Sequence, residues 1–558
     1  MLAVALLPIP ALAQSSPCAR PLPGSIVSNP PDLFSQNGVL RVNFTYDTAT
    51  DAFGRTLYCF TTARGKESPT LHVHPGDHLV IKVKNNLPLP TDSNAMAMAT
   101  SAPDVCGNPF MTTTSVNLHF HGTNTAPKCH QDEVIHTMIN SGETFTYNLA
   151  FPRDEPAGLY WYHPHVHGIS EAAVQGGASG AIVVDGIQNV QHAVAKLPQQ
   201  ILIIRDQNVA NPPPGNDPNE PSWDISLNYV PIPYPVYTPA IIQMQPGKSQ
   251  FWRVLNASAD TIIDVQLQYD GQPQTLQVVA LDGVATGSQD GTRRGTIVNK
   301  TDILLAPAAR AEFIVSPPSL SVKNAALMTL GLDTGPGGDS TPPRQMATIQ
   351  VASVESGKFR LAGPVAGLVT PEVTGAPGPQ RFEGLAKATP TAQRALYFDE
   401  TLPEPGDNDA LQTFFITVEG AVPTAFDPNN PPAITTTQGS VEDWTISNRA
   451  REVHEFHMHQ IHFLLMAING VPVPPEQQQF LDMIQVPYFT GMGTPPSVTV
   501  RMDFRGADVG DFVYHCHILG HEDNGMMAII RVLPRGTKLA AVSSKPRSRY
   551  VMTTRLNR

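Results

Sequence analysis

Three stretches of this chain share one pattern, and that pattern limits its fold more than any other feature. From Val39 to Asn86 short β-rich runs alternate with turns, as where Leu71-His72-Val73-His74 runs into Pro75-Gly76-Asp77. The same texture returns at 241–256 (IIQMQPGKSQFWRVLN) and at 434–448 (ITTTQGSVEDWTISN). Each segment reads as strand, polar or Gly-containing turn, strand, and then Asn. The repeat has the spacing of whole domains and not of a short-period solenoid. It predicts an all-β chain of three Greek-key β-sandwich domains. The 54 Pro and 42 Gly among 558 residues agree, because they punctuate the chain into short strands and turns and disfavour long helices. At roughly 150 residues per domain the length admits about three or four. We place three, at 30–190, 198–353 and 394–535, with a Pro/Gly/Ala-rich linker at 354–393.

The ends of the chain suggest a compartment. Residues 1–13 (MLAVALLPIPALA) are apolar, too short to span a bilayer, and end in the small-x-small pattern Ala11-Leu12-Ala13. They read as the remnant of a signal peptide, so the protein is expected to be exported, secreted or periplasmic. No later window suggests a membrane span. Export permits disulfides, and Cys18, Cys59, Cys106 and Cys129 can form two in any of three pairings, leaving Cys516 over. The last stretch, 536–558, carries Lys538, Lys545, Arg547, Arg549, Arg555 and Arg558 without an acid and reads as a solvated tail. The whole chain is acidic, with 36 Lys+Arg against 48 Asp+Glu, and has no basic run in its body, which argues against nucleic acid as a partner. Asn43, Asn256 and Asn299 lie in N-x-S/T sequons.

The 18 histidines are unevenly placed, with none between His192 and His454, so no histidine-based metal site is expected in the middle domain. They cluster as His119-Phe-His121, His163-Pro-His165, His454-Glu-Phe-His457-Met-His459, and His515-Cys516-His517 with His521. In a strand, residues i and i+2 project from one face and i+1 from the other. Each His-x-His therefore offers two imidazoles to one side, while Cys516 faces away from His515 and His517. One strand can then serve two metal sites joined by a few covalent bonds, a geometry suited to electron transfer. With His454, His521 and Met526, Cys516 completes two imidazoles, a thiolate and a weak thioether, the ligand set of blue copper. Zinc competes for Cys and His but its structural sites usually use paired cysteines. Outside the clusters, His72 and His74 read as an exposed strand pair, and His167 and His462 as supporting donors or packing residues. His78, His130, His136 and His192 read as ordinary histidines.

The segments LHFHG (118–122), YWYHPHVHG (160–168), HEFHMH (454–459) and HCHILGHEDNGMM (515–527) resemble the four copper-binding motifs of the multicopper oxidases, closest to three-domain, laccase-like members. WRVLNAS (252–258) and DWTISN (443–448) also look like strands of that family. The resemblance implies three cupredoxin-like domains and four copper ions as cofactors. It assigns a type 1 copper to His454, Cys516 and His521 with Met526 axial, and a type 2 copper to His119 and His457. Two type 3 coppers would share His121, His163, His165, His459, His515 and His517. It further implies that Cys516 and His521 carry electrons and that Glu522 and Asp132 supply protons. Glu455, where many members have Pro, is expected to set a carboxylate near the type 1 rim.

The implied reaction is one-electron oxidation of a small-molecule reducing substrate coupled to four-electron reduction of O2 to water. Phenols and aromatic amines are the first expected donors. A metal oxidase acting on Cu(I), Fe(II) or Mn(II) is the alternative, ranked second because the short Met96-Ala-Met98 pair is all that resembles a Met-rich insert. A non-enzymatic cupredoxin-fold scaffold would have lost its ligands, and a two-domain nitrite reductase would lack the third sandwich. The sequence does not name the donor or set the oligomeric state.

Overall fold

The repeated strand–turn–strand is, in the structure, a crossing from one sheet to another. We used a computed structural model describing residues 17–90, 105–107, 110–210, 220–288, 295–351, 382–401 and 412–537. Thr70–Val73 leads into His78–Asn85, Ala240–Met244 into Gln250–Asn256, and Ile434–Thr437 into Val441–Asn448. In every case the two strands belong to different sheets. The turn therefore carries the chain over the edge of a sandwich, as a Greek-key connection does, where a hairpin would have kept it in one sheet.

Six sheets pair into three all-β sandwiches. The first sets a five-stranded sheet, from Asp32–Phe34 at one edge to His119–His121 at the other, against a four-stranded sheet centred on Val39–Thr50 and His78–Asn85. The middle one packs the sheet holding Gln199–Asn208, Gln250–Asn256 and Arg310–Val315 on that holding Ile263–Tyr269 and Ala325–Leu330. The third packs the sheet of Ala392–Thr401, Val441–Asn448 and Ser497–Asp503 on that of His454–Met458, Gly510–Cys516 and Met527–Leu533. Period-two alternation explains the layers. Leu79, Ile81 and Val83 are fully buried and meet Leu71, Val73, Ile182 and Val184 from the opposite sheet in one core. The middle core continues into its neighbours, taking in Leu159 and Trp161 of the first sandwich and Met483 of the third.

The Asn that closes each repeat is a lock. Asn85 Nδ2 donates to the carbonyls of Thr114 and Ile139, Asn256 Nδ2 to those of Thr261 and Leu305, and Asn448 Nδ2 to those of Glu452 and Val486. Each Oδ1 accepts the amide two residues on, from Leu87, Ser258 and Ala450. All three side chains are fully buried. Only a side chain with two donors and an acceptor at this length pairs those backbone groups, which would otherwise be stranded away from water. Asn256 is therefore closed to glycosylation despite its sequon, whereas Asn43 and Asn299 are exposed.

The four candidate disulfide cysteines pair as Cys18–Cys59 and Cys106–Cys129. Within the stretch expected to be linker, Phe382 and Leu385 are buried against Val284, Val441 and Phe480, tying it to the middle and third sandwiches. The apolar leader, residues 352–381 and nearly all of the basic tail lie outside the described residues. Among the described residues, no helix is long and apolar enough to cross a membrane. The expectation of an exposed His72/His74 pair fails at His72, which is buried. Its ring stacks on Phe34 at 4.3 Å and lies between Asp32, 3.2 Å from Nε2, and Asp185, 3.3 Å from Nδ1.

Two measurements test these features. Asn256→Ala strands two buried carbonyls and should cost about 2–4 kcal/mol of unfolding free energy in a denaturant titration; a change within experimental error would remove the lock from the account. For His72, the two flanking carboxylates raise its pKa above the ordinary value even though burial opposes them. The folded state then binds the proton more tightly than the unfolded state, so this contribution is complete below about pH 6.5 and is lost as pH rises through the folded value. The melting-temperature gap between wild type and His72→Gln should accordingly be wider at about pH 6 than at about pH 8.

Candidate metal centre

Two pairs of strands position the histidines. In the first sandwich His119–His121 lies antiparallel to Gly158–His163, with His119 opposite His163. In the third, His454–Met458 lies antiparallel to Gly510–Cys516, with His457 opposite His515. Facing one another, these edges form three nests of imidazoles: His119, His121 and His457; His121, His163 and His517; His165, His459 and His515. Within each nest the donor atoms lie inside 4.8 Å of one another. In the last, His515 Nε2 lies 3.3 Å from His165 Nε2 and 3.2 Å from His459 Nε2. The six histidines attributed jointly to two type 3 coppers are thus divided into two triads.

Cys516 faces the other way. Its Sγ is 3.7 Å from both His454 Nδ1 and His521 Nδ1, which are 3.0 Å apart. Met526 is fully buried in the same core cluster as Cys516. Eleven of the twelve residues singled out as copper ligands therefore lie in one of these groups, and the twelfth, Met526, accepts the Cys516 amide at its backbone carbonyl at 3.1 Å.

The residues fit the metal. His119 Nδ1 is held by Asp132 Oδ1 at 3.0 Å, His163 Nδ1 by the Pro164 carbonyl at 2.8 Å, and His457 Nδ1 by the Asp482 carbonyl at 2.8 Å. In each of these rings Nε2 is buried with no hydrogen-bond partner. His121 is reversed: Nε2 lies 3.2 Å from Asp482 Oδ1 and Nδ1 is the orphan. Buried unpaired nitrogens are costly, and a ring held at one nitrogen with the other left bare is how metal-ligating histidine is built. Burial lowers the pKa of these imidazoles, His163 to about 3 and His515 to about 4, so they are neutral and able to bind a metal. Burial also drives the Cys516 thiol upward, so a bound cation is needed to hold it as thiolate.

The two candidate proton donors lie against different histidines. Asp132, besides touching His119, accepts from Phe120 N at 3.1 Å and Gln460 Nε2 at 2.8 Å, and burial pushes its carboxyl up to about 8. Glu522 is fully buried, with Oε1 3.8 Å from His165 Nδ1 and Oε2 4.0 Å from His515 Nδ1. Neither oxygen has a hydrogen bond, and burial holds the carboxyl well above the carboxylate range.

Glu455 is not at the rim. It is fully buried, accepts from Gln485 at 2.9 Å, and its carboxyl is pushed up to about 8 by desolvation. The strand His454–Met458 is covered on both faces, so the residue beside a rim histidine points inward. The rim acid is instead Glu452, whose Oε1 stands 3.5 Å from His521 Nε2. The His521 side chain is 12% exposed, and the depression it opens onto is lined by the acids Asp260, Asp339 and Glu452 and by the apolar Ile262, Val453 and Ile518. Sequence reasoning missed these acids, and also Arg310 and Asp482. The charged pair Arg310-Ala-Glu312 inside an otherwise apolar strand was the available signal, since such charges are kept only when paired.

Family models described as multicopper oxidase match residues 107–189 and 401–536, ranges that contain all twelve residues. The chain is 24% identical over 419 residues to a laccase of Bacillus subtilis (strain 168), covering 68% of this chain and 71% of that protein. It is 23% identical over 537 residues to multicopper oxidase LPR1 homolog 3 of Oryza sativa subsp. japonica, covering 84% and 93%. Among solved structures, a multicopper oxidase of Campylobacter jejuni described as a metallo-oxidase superposes with a TM-score of 0.64 at 22% identity, over 92% of this chain and 96% of that one. At such identity the superposition establishes the cupredoxin-like fold.

Neutral, buried imidazoles make the metal-free protein acid-labile. Their folded pKa values lie below the unfolded value, so below about pH 6.5 the unfolded chain takes up more protons and stability falls with pH. In melting curves of the metal-free protein the loss between about pH 6.5 and about pH 4 should be smaller for His163→Gln than for wild type, and equal profiles would contradict the burial of neutral nests.

Proposed function

We propose that this chain, which belongs to the multicopper oxidase family, couples one-electron oxidation of a donor at His521 to the four-electron reduction of O2 to water. Type 1 copper would be held by His454, Cys516, His521 and Met526, type 2 by His119 and His457, and the type 3 pair by His121, His163 and His517 with His165, His459 and His515. When bound, copper would supply reversible one-electron chemistry beside Cys516 and O2 reduction among the nests, which zinc has no second oxidation state to do.

The observation that carries this reading is the alternation along His515-Cys516-His517. Cys516 stands on one face of the strand with His454 and His521, and its two neighbours stand on the other face in separate nests. A short covalent path thus joins the place where a donor can approach to the place where O2 would be reduced. The remaining residues hold geometry and protons. Asp132 orients the His119 ring, and Glu522 keeps a proton on its carboxyl within reach of His165 and His515. The surrounding core excludes bulk water.

The acids around His521 bear on the donor. Asp260, Asp339 and Glu452 line its approach, and Gly520, next to His521, donates its amide to Asp260 Oδ1 at 2.9 Å. The depression sets carboxyl oxygens, which would ligate a cation once it displaced the protons that burial holds on Asp260 and Glu452, beside an apolar wall of Ile262, Val453 and Ile518 that would suit a phenol. A reduced metal ion is therefore a second donor class that this lining supports, beside the phenols and aromatic amines placed first from sequence. Met96 and Met98 lie outside the described residues. Export, read from the leader, is supported by the two disulfides.

Initial rates of O2 uptake with Fe(II), with Cu(I) and with a phenol test the donor. If metal ions are donors, Glu452→Gln should reduce kcat/KM for them about tenfold more than for the phenol, a difference of about 1.4 kcal/mol; an equal effect on both would remove the metal-ion reading. Glu522→Gln should slow O2 uptake while leaving the thiolate-to-copper absorption unchanged, and unaltered turnover would end its role as proton donor. If the copper-loaded protein shows no thiolate-to-copper absorption, the oxidase assignment falls.

A further inference from the structure

The middle sandwich has no histidine, yet its side chains reach the centre. Arg310 begins the strand Arg310–Val315 and is fully buried. Its Nη1 and Nη2 fork the carboxylate of Asp482 in the third sandwich, each at 2.6 Å, and its Nε donates to the Leu159 carbonyl of the first at 3.1 Å. Asp282, also from the middle sandwich, accepts the amides of Asp482 and Met483 at 3.3 Å each and that of Arg310 at 2.9 Å. Asp482 is thus fixed through both its side chain and its backbone by groups from another domain.

Asp482 in turn touches two rings of the nests. Its Oδ1 lies 3.2 Å from His121 Nε2, and its backbone carbonyl lies 2.8 Å from His457 Nδ1. Those two rings stack on each other at 4.0 Å with 15° between their planes. They come from different sandwiches, and Asp482 is the residue that both hydrogen-bond. The contact with Asp482 fixes the tautomer at each ring and so decides which nitrogen is bare: Nδ1 of His121 and Nε2 of His457. The glycine after His121 belongs to the same arrangement. A Cβ at Gly122, whose φ is +80°, would overlap Arg310 Nη2 and Asp482 Oδ2.

We propose that Arg310 of the histidine-free middle sandwich is a positioning residue of the trinuclear centre, forking Asp482 so that Asp482 sets the tautomer and plane of His121 and His457. The inference rests on the copper reading above. It gives the middle sandwich a specific part in the site: copper retention in the nests depends on a guanidinium that binds no metal.

The test uses the full chain, stripped of metal and reloaded with copper alone. Three quantities are read: copper retained per chain against a chelator, the type 2 electron paramagnetic resonance signal, and the thiolate-to-copper absorption. Arg310→Lys keeps the charge and loses the fork. Gly122→Ala keeps every charged group and pushes the fork apart. Each is expected to retain the absorption of the Cys516 site, to lose the type 2 signal, and to hold nest copper about 10–100-fold more weakly. Arg394→Lys disturbs a different ion pair, that with Glu442 in the third sandwich, and serves as the stability control. It should lower the melting temperature of the metal-free protein and leave copper retention as in wild type. Wild-type retention and a wild-type type 2 signal in whichever of Arg310→Lys and Gly122→Ala folds would overturn the inference, whatever their melting temperatures, because they would show that the clamp only stabilises the fold. Wild-type protein that takes up no copper would instead overturn the copper reading itself, and the inference with it.

Discussion

The two-residue period of a β-strand governs this molecule at every scale. It builds the sandwiches, because alternate residues of His78–Asn85 enter a core while their neighbours do not. It also separates the chemistry, because it sends Cys516 to one side of a strand and His515 and His517 to the other. A helix could not do this, since neighbouring residues on a helix diverge by about a quarter-turn and no triplet is cleanly divided between opposite faces. Electron donor and oxygen would be kept apart by one layer of sheet and linked by a few bonds.

Burial then sets the charge state of nearly everything in the centre. The imidazoles are held neutral and the carboxyls of Asp132, Glu455 and Glu522 are held protonated to higher pH than usual, all by the same desolvation. The same physics gives opposite chemical results: it frees nitrogen lone pairs for a metal and keeps protons stored on acids beside them. At Asp482, in the same interior, the Arg310 guanidinium forks the side chain. Such a pair adds little net stability and much geometric definition.

The fold and the clustering of the histidines were legible because both are written in short-range patterns. Strand, turn, strand and Asn recur within single segments, and His-x-His spacing is a local statement about one face of one strand. The centre's supports were not legible, because they are long-range. Arg310 and Asp482 are far apart in sequence and meet only when three sandwiches dock. Glu452 becomes a rim acid only through the placement of His521 on the short helix Leu519–Asp523. Glu455 and His72 show the complementary failure: alternation gives the face of a strand but not whether that face is covered, and here both were. The closing Asn of each repeat was seen as a pattern, while its triple hydrogen bonding needed coordinates.

The division of the nests between sandwiches has a consequence for how the protein is made. His165 comes from the first sandwich, and His459 and His515 come from the third, so that nest does not exist until the final strands have formed and docked. A chain emerging in order has His119, His121, His163 and His165 folded long before their partners arrive. Half-finished protein therefore offers isolated imidazole pairs, which are poor competitors for copper, and the complete donor sets appear together at the last step. The architecture defers metal capture until the surrounding walls are in place, so that a redox-active ion is not held by an unfinished chain.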